Sequence, residues 1–298
     1  MWVIIEMAKC IIYTMIKVYD LHNDYLVTLK TNTKIRSYLK NKKLKASVND
    51  IVSAVWTSEM NSEEAMKKIE DSVALLRVLS ENENSDTKLH LAIEDMHFTT
   101  KNNLAKVVNI APKYCSLTWN NDNCLAGGAL EGGDITTLGY DTIEELEDNN
   151  IMVDTAHLSE KSFMSFSRVT NKPILCSHTA VYSLVTSKRN LKDYQIKMIV
   201  ESGGLMGLAL VGDFLTEAKR STISDVARHI DYIVSRFGDK NICLGTDFYG
   251  TKNLPKGVKN YNNLSLLEDR LRFLGYGNET IENIFNKNAQ CFFENKNM

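Results

Sequence analysis

Eight short apolar runs alternate with helical segments along the chain, and this alternation constrains the fold more than any other feature of the sequence. The runs lie at residues 16–22, 51–57, 89–94, 114–119, 151–157, 173–178, 204–210 and 242–247. Alternating strands and helices imply a parallel sheet, and eight such units predict an α/β fold of the (β/α)8, TIM-like barrel type. An open, doubly wound sheet is the alternative.

The helical segments between these runs carry recognisable signals. Ser62 with two following glutamates is typical of a helix start. Residues 223–237 carry apolar side chains at helical spacing and predict another helix before the last run. No internal repeat, low-complexity tract or linker divides the chain. The sequence therefore predicts one barrel domain over residues 15–298, with residues 1–14 as an N-terminal extension.

Composition narrows the expected partners and location. The chain of 298 residues has a net charge of −2 and an isoelectric point near 6.3, so nucleic acid is not an expected partner. Its six cysteines are scattered without a Cys-x-x-Cys pair, which favours a reduced, cytoplasmic protein. Glu6 and Lys9 interrupt the apolar N-terminus. This start therefore predicts neither a signal peptide nor a membrane anchor.

Three histidines stand at the polar ends of apolar runs: His22, His157 and His178. Because the carboxyl ends of barrel strands meet at one rim, these side chains are expected to converge there. Asp24 lies two residues after His22, and Glu94 ends another run. Imidazole and carboxylate ligands suit zinc or another divalent first-row metal. Five such ligands exceed one tetrahedral site and fit two metals that share a carboxylate.

These residues and their neighbours carry a family resemblance. The chain resembles the membrane (renal-type) dipeptidases, zinc-dependent barrel peptidases that also occur as soluble bacterial proteins. The stretches that carry the resemblance follow the family's order, and similarity continues more weakly over residues 267–293. They are Asp20-Leu21-His22-Asn23-Asp24, Ala92-Ile93-Glu94, Val153-Asp154-Thr155-Ala156-His157, Ser177-His178-Thr179-Ala180, Ser187-Lys188-Arg189-Asn190 and Gly245-Thr246-Asp247-Phe248-Tyr249-Gly250.

The resemblance implies a role for each matching position. His22, Asp24 and Glu94 would hold one zinc ion, and Glu94 would bridge to a second ion completed by His157 and His178. Arg189 would receive the carboxylate of a small peptide substrate, a task that suits a guanidinium. Asp247 would be the second catalytic carboxylate beside Glu94, handling the proton that passes to the departing amine. The implied activity is proteolysis of dipeptides, L-L and also L-D, by a hydroxide that bridges two Zn²⁺ ions.

The chain departs from the family pattern at two of these motifs. The family's bridging glutamate usually precedes two glycines, whereas Asp95 and Met96 follow Glu94. Glu131-Gly132-Gly133 matches the written motif but follows the fourth run, in the wrong order, so we do not expect Glu131 to be a ligand. Tyr249 replaces the second aspartate of the usual Asp-Phe-Asp-Gly signature.

Trp119 is the departure with the largest consequence for the substrate site. It stands where the mammalian enzymes carry a histidine that contacts substrate, and an indole can donate a hydrogen bond but cannot take a proton. We expect Trp119 and Asn120 to contact the substrate, with oxyanion stabilisation resting on the metals, Arg189 or Asn120.

The remaining histidines and the rival functions complete the expectations. His90 and His229 are predicted to be structural, and His97 is a candidate partner of a ligand. One rival function is a related barrel hydrolase acting on another amide or a lactone, although such barrels typically open with His-x-His. The other rival is a degenerate paralogue that binds metal without turnover. Family members often form homodimers, and manganese or cobalt could replace zinc.

Overall fold

A computed structural model describes residues 16–31, 48–80 and 87–294. The predicted extension of residues 1–14 lies outside the described residues. Within the described part, the eight apolar runs all contain strands, and the strands pair in sequence order as a closed barrel. The strands are β1 (Val18–Asn23), β2 (Val48–Trp56), β3 (Lys88–Glu94), β4 (Tyr114–Ser116), β5 (Met152–Asp154), β6 (Leu175–Thr179), β7 (Leu205–Leu208) and β8 (Ile242–Leu244).

Every pairing in the barrel is parallel, including that of β1 with β8, and helices lie between the strands. The predicted (β/α)8 barrel is therefore confirmed, and the open sheet is excluded by the pairing of the first strand with the last. The helices are α1 (Tyr25–Thr31), α2 (Ser62–Ser80), α3 (Lys101–Ile110), α4 (Thr137–Asp148), α5 (Glu160–Val169), α6 (Asp193–Glu201), α7 (Gly212–Leu215), α8 (Ile223–Phe237), α9 (Ser265–Phe273), α10 (Asn278–Glu282) and α11 (Asn288–Glu294).

A buried carboxylate links the first strand of the barrel to the last. Asp20 on β1 is fully buried and pairs with Leu244 of β8. Its side chain accepts hydrogen bonds from the backbone N–H of Thr246 at 2.8 Å, from the Thr246 hydroxyl at 2.7 Å and from the Tyr261 hydroxyl at 2.5 Å. Burial raises the pKa of Asp20, and these hydrogen bonds oppose the rise. The satisfied carboxylate therefore holds the first strand against the last.

Two apolar clusters lie on the two sides of the barrel wall. The larger one packs helix residues such as Ile69 and Ile230 against the strands. The smaller one is built from alternate strand residues, including Leu21 and Ala92, together with Ala289 of α11. Because strand side chains alternate between the two faces, this second set fills the barrel. None of the helices in the described ranges is long and apolar enough to cross a bilayer.

His229 is structural, as the sequence predicts. It is fully buried on α8, where Nδ1 accepts a hydrogen bond from the backbone N–H of Val181 at 3.1 Å and Nε2 donates to the Leu215 carbonyl at 3.1 Å. Burial lowers the pKa of His229 from 6.5 to about 4. The ring is thus neutral in the folded protein at pH values where an unfolded chain would protonate it.

Because the pKa of His229 differs between the folded and unfolded states, the stability of the wild type is expected to depend on pH. The substitution His229→Gln is expected to remove this dependence. Between pH 6.5 and 4 the unfolded state binds a proton that the folded state does not, so stability falls as the pH falls. The expected loss approaches about 3 kcal/mol for this one group. Glutamine can accept from Val181 and donate to Leu215 without titrating. Denaturant unfolding of both proteins at pH 7 and pH 4 measures the difference, and parallel pH profiles would contradict it.

Candidate metal centre

The predicted site residues all lie at the carboxyl end of the barrel. His22 lies on β1, Glu94 ends β3 and His178 lies on β6. The others follow their strands within a few residues: Asp24 after β1, His157 after β5 and Asp247 after β8. Parallel pairing around the closed barrel brings these separate stretches to one rim.

Two of these residues lie farther from their strands than the sequence predicts. Strand β5 ends three residues before His157, and β8 ends three residues before Asp247. Both residues adopt left-handed backbone conformations, with φ of 70° at His157 and 56° at Asp247. Such values are uncommon for residues other than glycine and cluster at functional sites. The expected strand ends are therefore sharp turns that follow short strands.

Glu94 faces all three histidines. Its Oε1 lies 2.8 Å from Nε2 of His157 and 3.8 Å from Nε2 of His178, and its Oε2 lies 3.8 Å from Nε2 of His22. Two donor atoms that share one zinc ion, each about 2.0–2.2 Å from it, lie no more than about 4.4 Å apart. Glu94 thus stands between the two predicted ligand groups at distances that fit shared metals.

A second group of donors surrounds His22. His22, Asp24 and Asp247 each place a ligand atom within 4.8 Å of one another, and His22, Glu94 and His178 form a similar group. The Nε2 atom of His22 lies 4.0 Å from Oδ1 of Asp247. The His22 ring is shared by the two groups, as Glu94 is shared by the histidines.

Burial places three carboxylates in mutual repulsion here. Desolvation is the largest cause that raises the pKa of Asp24 to about 7, and it raises the pKa of Glu94 and of Asp247 well above the ordinary range. The charge of Asp24 raises the pKa of both other carboxyls further, whereas Arg189 lowers it. Positive charge added among them would stabilise the ionised forms.

The three site histidines are held in the neutral form, which is the form that binds a metal ion. Burial, with the charge of Arg189, lowers the pKa of His22 to about 3 and keeps His157 and His178 far below their ordinary pKa. The Nε2 atoms of His157 and His178 lie 2.9 Å apart. The buried Nε2 atom of His22 has no hydrogen-bond partner within the described ranges. Neutral imidazoles with inward nitrogens and carboxylates form a donor set that fits zinc and related divalent ions.

Arg189 lies beside these donors. It is 8% exposed, and its Nη2 donates to Nε2 of His178 at 2.9 Å. Its guanidinium packs against the Phe214 ring at 5.4 Å, and burial lowers its pKa. The Nε–H of Arg189 is buried and has no partner among the residues that the structure describes. A donor is therefore free to bind an acceptor that enters the cavity.

The site opens into a cavity of about 660 Å³. That volume lies within the range for small-molecule sites. Polar and apolar side chains share its wall, and the apolar ones include Trp56 and Phe214, which the sequence did not single out. The lining residues are Asp24, Val27, Thr28, Trp56, Glu94, Trp119, Asn120, Leu130, His157, His178, Ser187, Arg189, Val211, Phe214, Asp247, Tyr249, Gly250 and Thr251.

Trp119 and Asn120 both line this cavity. The half-buried Trp119 ring lies 5.5 Å from the Trp56 ring, edge to face, and 6.1 Å from the His157 ring. The Asn120 Oδ1 atom lies 3.0 Å from Nδ1 of His157, so Asn120 contacts a predicted ligand as well as the cavity. Tyr249 also faces the cavity, and burial raises its pKa to about 12.

Asp95 replaces glycine at a position whose backbone favours glycine. Its φ is 73°, in the left-handed region that aspartate tolerates better than most residues. The Asp95 N–H donates to Ser116 Oγ at 3.0 Å, and its Oδ1 accepts from Asn123 Nδ2 at 2.9 Å. These hydrogen bonds stabilise the turn after Glu94 without the usual glycines.

The other candidates lie away from the donors. Glu131 is exposed, and its carboxylate accepts from the backbone N–H of Asp122 at 2.8 Å. His97 places Nε2 2.7 Å from the Met60 carbonyl and Nδ1 3.4 Å from Asp95, so it contacts the turn after Glu94. His90 pairs with Asp50 at 2.7 Å.

Sequence reasoning missed a set of polar residues behind the histidines. Tyr114, Asp154 and Ser177 are buried and hydrogen-bonded to the ligands or to each other. Two of them lie within the quoted motifs, directly before His178 and three residues before His157. Polar residues inside otherwise apolar strands were the signal that could have identified them.

Comparison with known proteins places the chain in a family. The sequence profile of the membrane dipeptidases (peptidase family M19) matches residues 109–297. The chain belongs to the membrane dipeptidase family. The motifs around His22 and Glu94 precede the matched residues, but the closed barrel brings them to the same site.

Individual relatives are more distant. An uncharacterized dipeptidase of Schizosaccharomyces pombe is 28% identical over 200 residues, which are 64% of this chain and 47% of that protein. Dipeptidase aclJ of Aspergillus oryzae is 29% identical over 153 residues, which are 49% of this chain and 36% of that protein. The chain thus matches less than half the length of either relative.

Solved structures share the fold. A metallopeptidase of Rhodobacter sphaeroides, liganded with a phosphinate mimic of the dipeptide L-Ala-D-Ala, superimposes with a TM-score of 0.84 at 20% identity. The match covers 94% of this chain and 99% of that one. The metallopeptidase dipeptidase AC, also of family M19, gives a TM-score of 0.86 at 21% identity, covering 94% and 98%. At sequence identities of 20% and 21%, this structural similarity shows that the barrel fold is shared.

Two glycines allow their own backbone segments to lie very close to strand β6, which bears His178. A Cβ atom on Gly207 would lie 2.0 Å from the Ser177 carbonyl oxygen, and one on Gly245 would lie 1.9 Å from it. Both distances are far below van der Waals contact, so a side chain at either position would displace the backbone next to His178. The glycines are required here by close approach.

Gly245→Ala is therefore expected to destabilise the protein by about 1–3 kcal/mol or more, as overpacked interiors do. Gly277→Ala is the matched control, because a Cβ atom there meets nothing within 4 Å. Denaturant unfolding of both variants and the wild type measures the change. Equal stability of the two variants would show that β6 does not depend on this approach.

Proposed function

We propose that this chain is a binuclear zinc dipeptidase that hydrolyses the peptide bond of dipeptides. Membership of the membrane dipeptidase family supports a metal-dependent peptidase. The observation that carries the proposal is the position of Glu94, whose carboxylate faces Nε2 of three histidines beside the free donor of Arg189.

The proposed ligands divide into two sets. His22, Asp24 and Glu94 would hold one zinc ion, and Glu94 with His157 and His178 would hold the other. Bound zinc would supply Lewis-acid polarisation of the peptide carbonyl and a water nucleophile deprotonated near neutral pH. Four of these ligands, His22, Glu94, His157 and His178, are buried, which would limit the access of bulk water to the ions.

Arg189 would bind the free carboxylate of the dipeptide. Arg189 lines the cavity, and a guanidinium offers N–H groups in a fork that matches a carboxylate. The guanidinium carbon lies 5.4 Å from the centre of the Phe214 ring, and both side chains line the cavity. Binding at this end would align the scissile bond with Glu94 and Asp247 across the cavity.

Asp247 would hold the proton that passes to the departing amine. Its Oδ1 lies 4.0 Å from Nε2 of His22 at the cavity wall, where the carboxylate can take a proton from the attacking water and pass it to the amine. The left-handed turn at Asp247 directs this side chain to the rim, where it lines the cavity.

The cavity suits a small peptide substrate. Trp56, Trp119 and Phe214 offer apolar surface for a side chain of the dipeptide. The Rhodobacter sphaeroides structure binds a mimic of L-Ala-D-Ala, and this ligand supports including L-D pairs among the substrates.

A hydrolysis assay on L-L and L-D dipeptides, with zinc-loaded and chelator-treated protein, tests the proposal. Turnover is expected only with metal. Asp247→Asn is expected to lower kcat by roughly 100-fold or more while zinc content stays near two per chain, because a proton carrier is lost. Asp231→Asn, which alters an exposed carboxylate bonded to Tyr276, is the control.

The outcomes separate the rival functions. Turnover of a cyclic amide or lactone instead of dipeptides would favour the related barrel hydrolases. Full zinc content without turnover on any substrate would favour a degenerate, metal-binding paralogue. Either result would contradict the dipeptidase proposal.

Recognition of the free carboxylate has its own test in Arg189→Lys. The ratio of kcat/KM for a dipeptide to that for its C-terminal amide measures this recognition. Loss of the guanidinium fork is expected to lower this ratio by roughly 10- to 100-fold. Arg228→Lys, at a half-exposed arginine on α8, should keep the wild-type ratio. An unchanged ratio in Arg189→Lys would exclude Arg189 as the carboxylate receptor.

A further inference from the structure

Each of the three site histidines has an oxygen atom behind its ring. Nδ1 of His22 lies 2.9 Å from the Tyr114 hydroxyl, Nδ1 of His178 lies 2.8 Å from the Ser177 hydroxyl, and Nδ1 of His157 faces the Asn120 amide oxygen. Tyr114 lies on β4 and Asn120 shortly after it, whereas Ser177 lies on β6. Whether they donate or accept decides which ring nitrogen carries the proton.

Tyr114 can only accept from His22. Its hydroxyl lies 2.9 Å from the Leu21 carbonyl oxygen, which cannot donate, so the single hydroxyl hydrogen points there. The oxygen of Tyr114 therefore accepts from Nδ1–H of His22, and Nε2 of His22 is left with a lone pair.

Asp154, acting through Ser177, determines the direction of the hydrogen bond to Nδ1 of His178. One oxygen of Asp154 accepts from the backbone N–H groups of Ser177 at 2.7 Å and Ala156 at 3.0 Å, and the other lies 2.5 Å from Ser177 Oγ. These three donors make both oxygens of Asp154 hydrogen-bond acceptors, and they oppose the rise in the pKa of Asp154 that burial causes. The Ser177 hydroxyl then donates to Asp154 and accepts from Nδ1–H of His178. The same Oγ lies 3.4 Å from Nδ1 of His22.

We propose that Tyr114, Asn120 and the Asp154–Ser177 pair are positioning residues that fix His22, His157 and His178 as Nδ1–H tautomers before metal binds. Each Nε2 atom, 2.8 to 3.8 Å from a Glu94 oxygen, is then left with a lone pair that a metal ion can use. This inference rests on the proposed metal site. It explains why buried polar groups occupy strand positions where apolar residues would pack as well.

The tautomers can be read directly in the full chain with ¹⁵N-labelled histidine. Long-range ¹H–¹⁵N correlation spectra distinguish the protonated ring nitrogen, first without metal and then during a zinc titration. His22, His157 and His178 are expected as Nδ1–H tautomers before zinc is added. His229 is an internal control of the opposite kind, because its Nδ1 accepts from Val181. An Nε2–H tautomer at any of the three site histidines before zinc is added overturns the proposal.

Zinc affinity, measured by competition with a chromophoric chelator, gives a second test. Tyr114→Phe and Ser177→Ala each remove one buried hydroxyl and are expected to weaken zinc binding by about 10- to 100-fold. Tyr232→Phe and Ser162→Ala are the controls, since each removes a hydrogen-bonded hydroxyl that does not bond to the site histidines: Tyr232 donates to Asp193, and Ser162 donates to the Gly133 carbonyl. The controls should bind zinc like the wild type.

These readouts do not depend on catalysis. Equal weakening in the controls, or wild-type affinity in both Tyr114→Phe and Ser177→Ala, would contradict the positioning role. The visible spectrum of the cobalt-substituted variants adds a third measure, because it changes when ligand orientation changes. Failure of the dipeptide assay with Nδ1–H tautomers intact would reject the proposed function and leave this inference standing.

Discussion

The site depends on one physical conflict, the repulsion among buried acceptors around Glu94. Three carboxylates and three imidazoles lie close together here, and the charge of Arg189 acts on Glu94 and Asp247. In a low-dielectric interior such a cluster is costly unless protons or cations are added. Divalent ions would remove the conflict, and the donor types are those that zinc prefers.

The barrel also has stabilising contacts that do not involve these donors. Asp20 links the first and last strands through a fully hydrogen-bonded carboxylate, and apolar clusters fill both sides of the wall. Gly207 of β7 and Gly245, directly after β8, let both segments approach the β6 backbone closely at Ser177. The strand that bears His178 is thereby held where its ring can face Glu94.

Much of this could be predicted from the sequence. Periodicity placed all eight strands, since apolar runs and helical segments follow local patterns that any barrel of this kind repeats. The predicted ligands are also brought together, because a parallel barrel collects its strand ends at one rim. The left-handed turns at His157 and Asp247 were not predicted, since non-glycine residues rarely adopt them and only tertiary contacts impose them.

The sequence by itself determined the fold class, the family and the set of donor side chains. Only the tertiary structure decided how those donors are oriented. Trp56 and Phe214 reach the cavity from elements far apart in the chain, and Tyr114 lies behind His22 across the barrel. Such contacts leave no local pattern, because hydrogen-bond partners and cavity walls depend on distances between elements that sequence spacing does not encode.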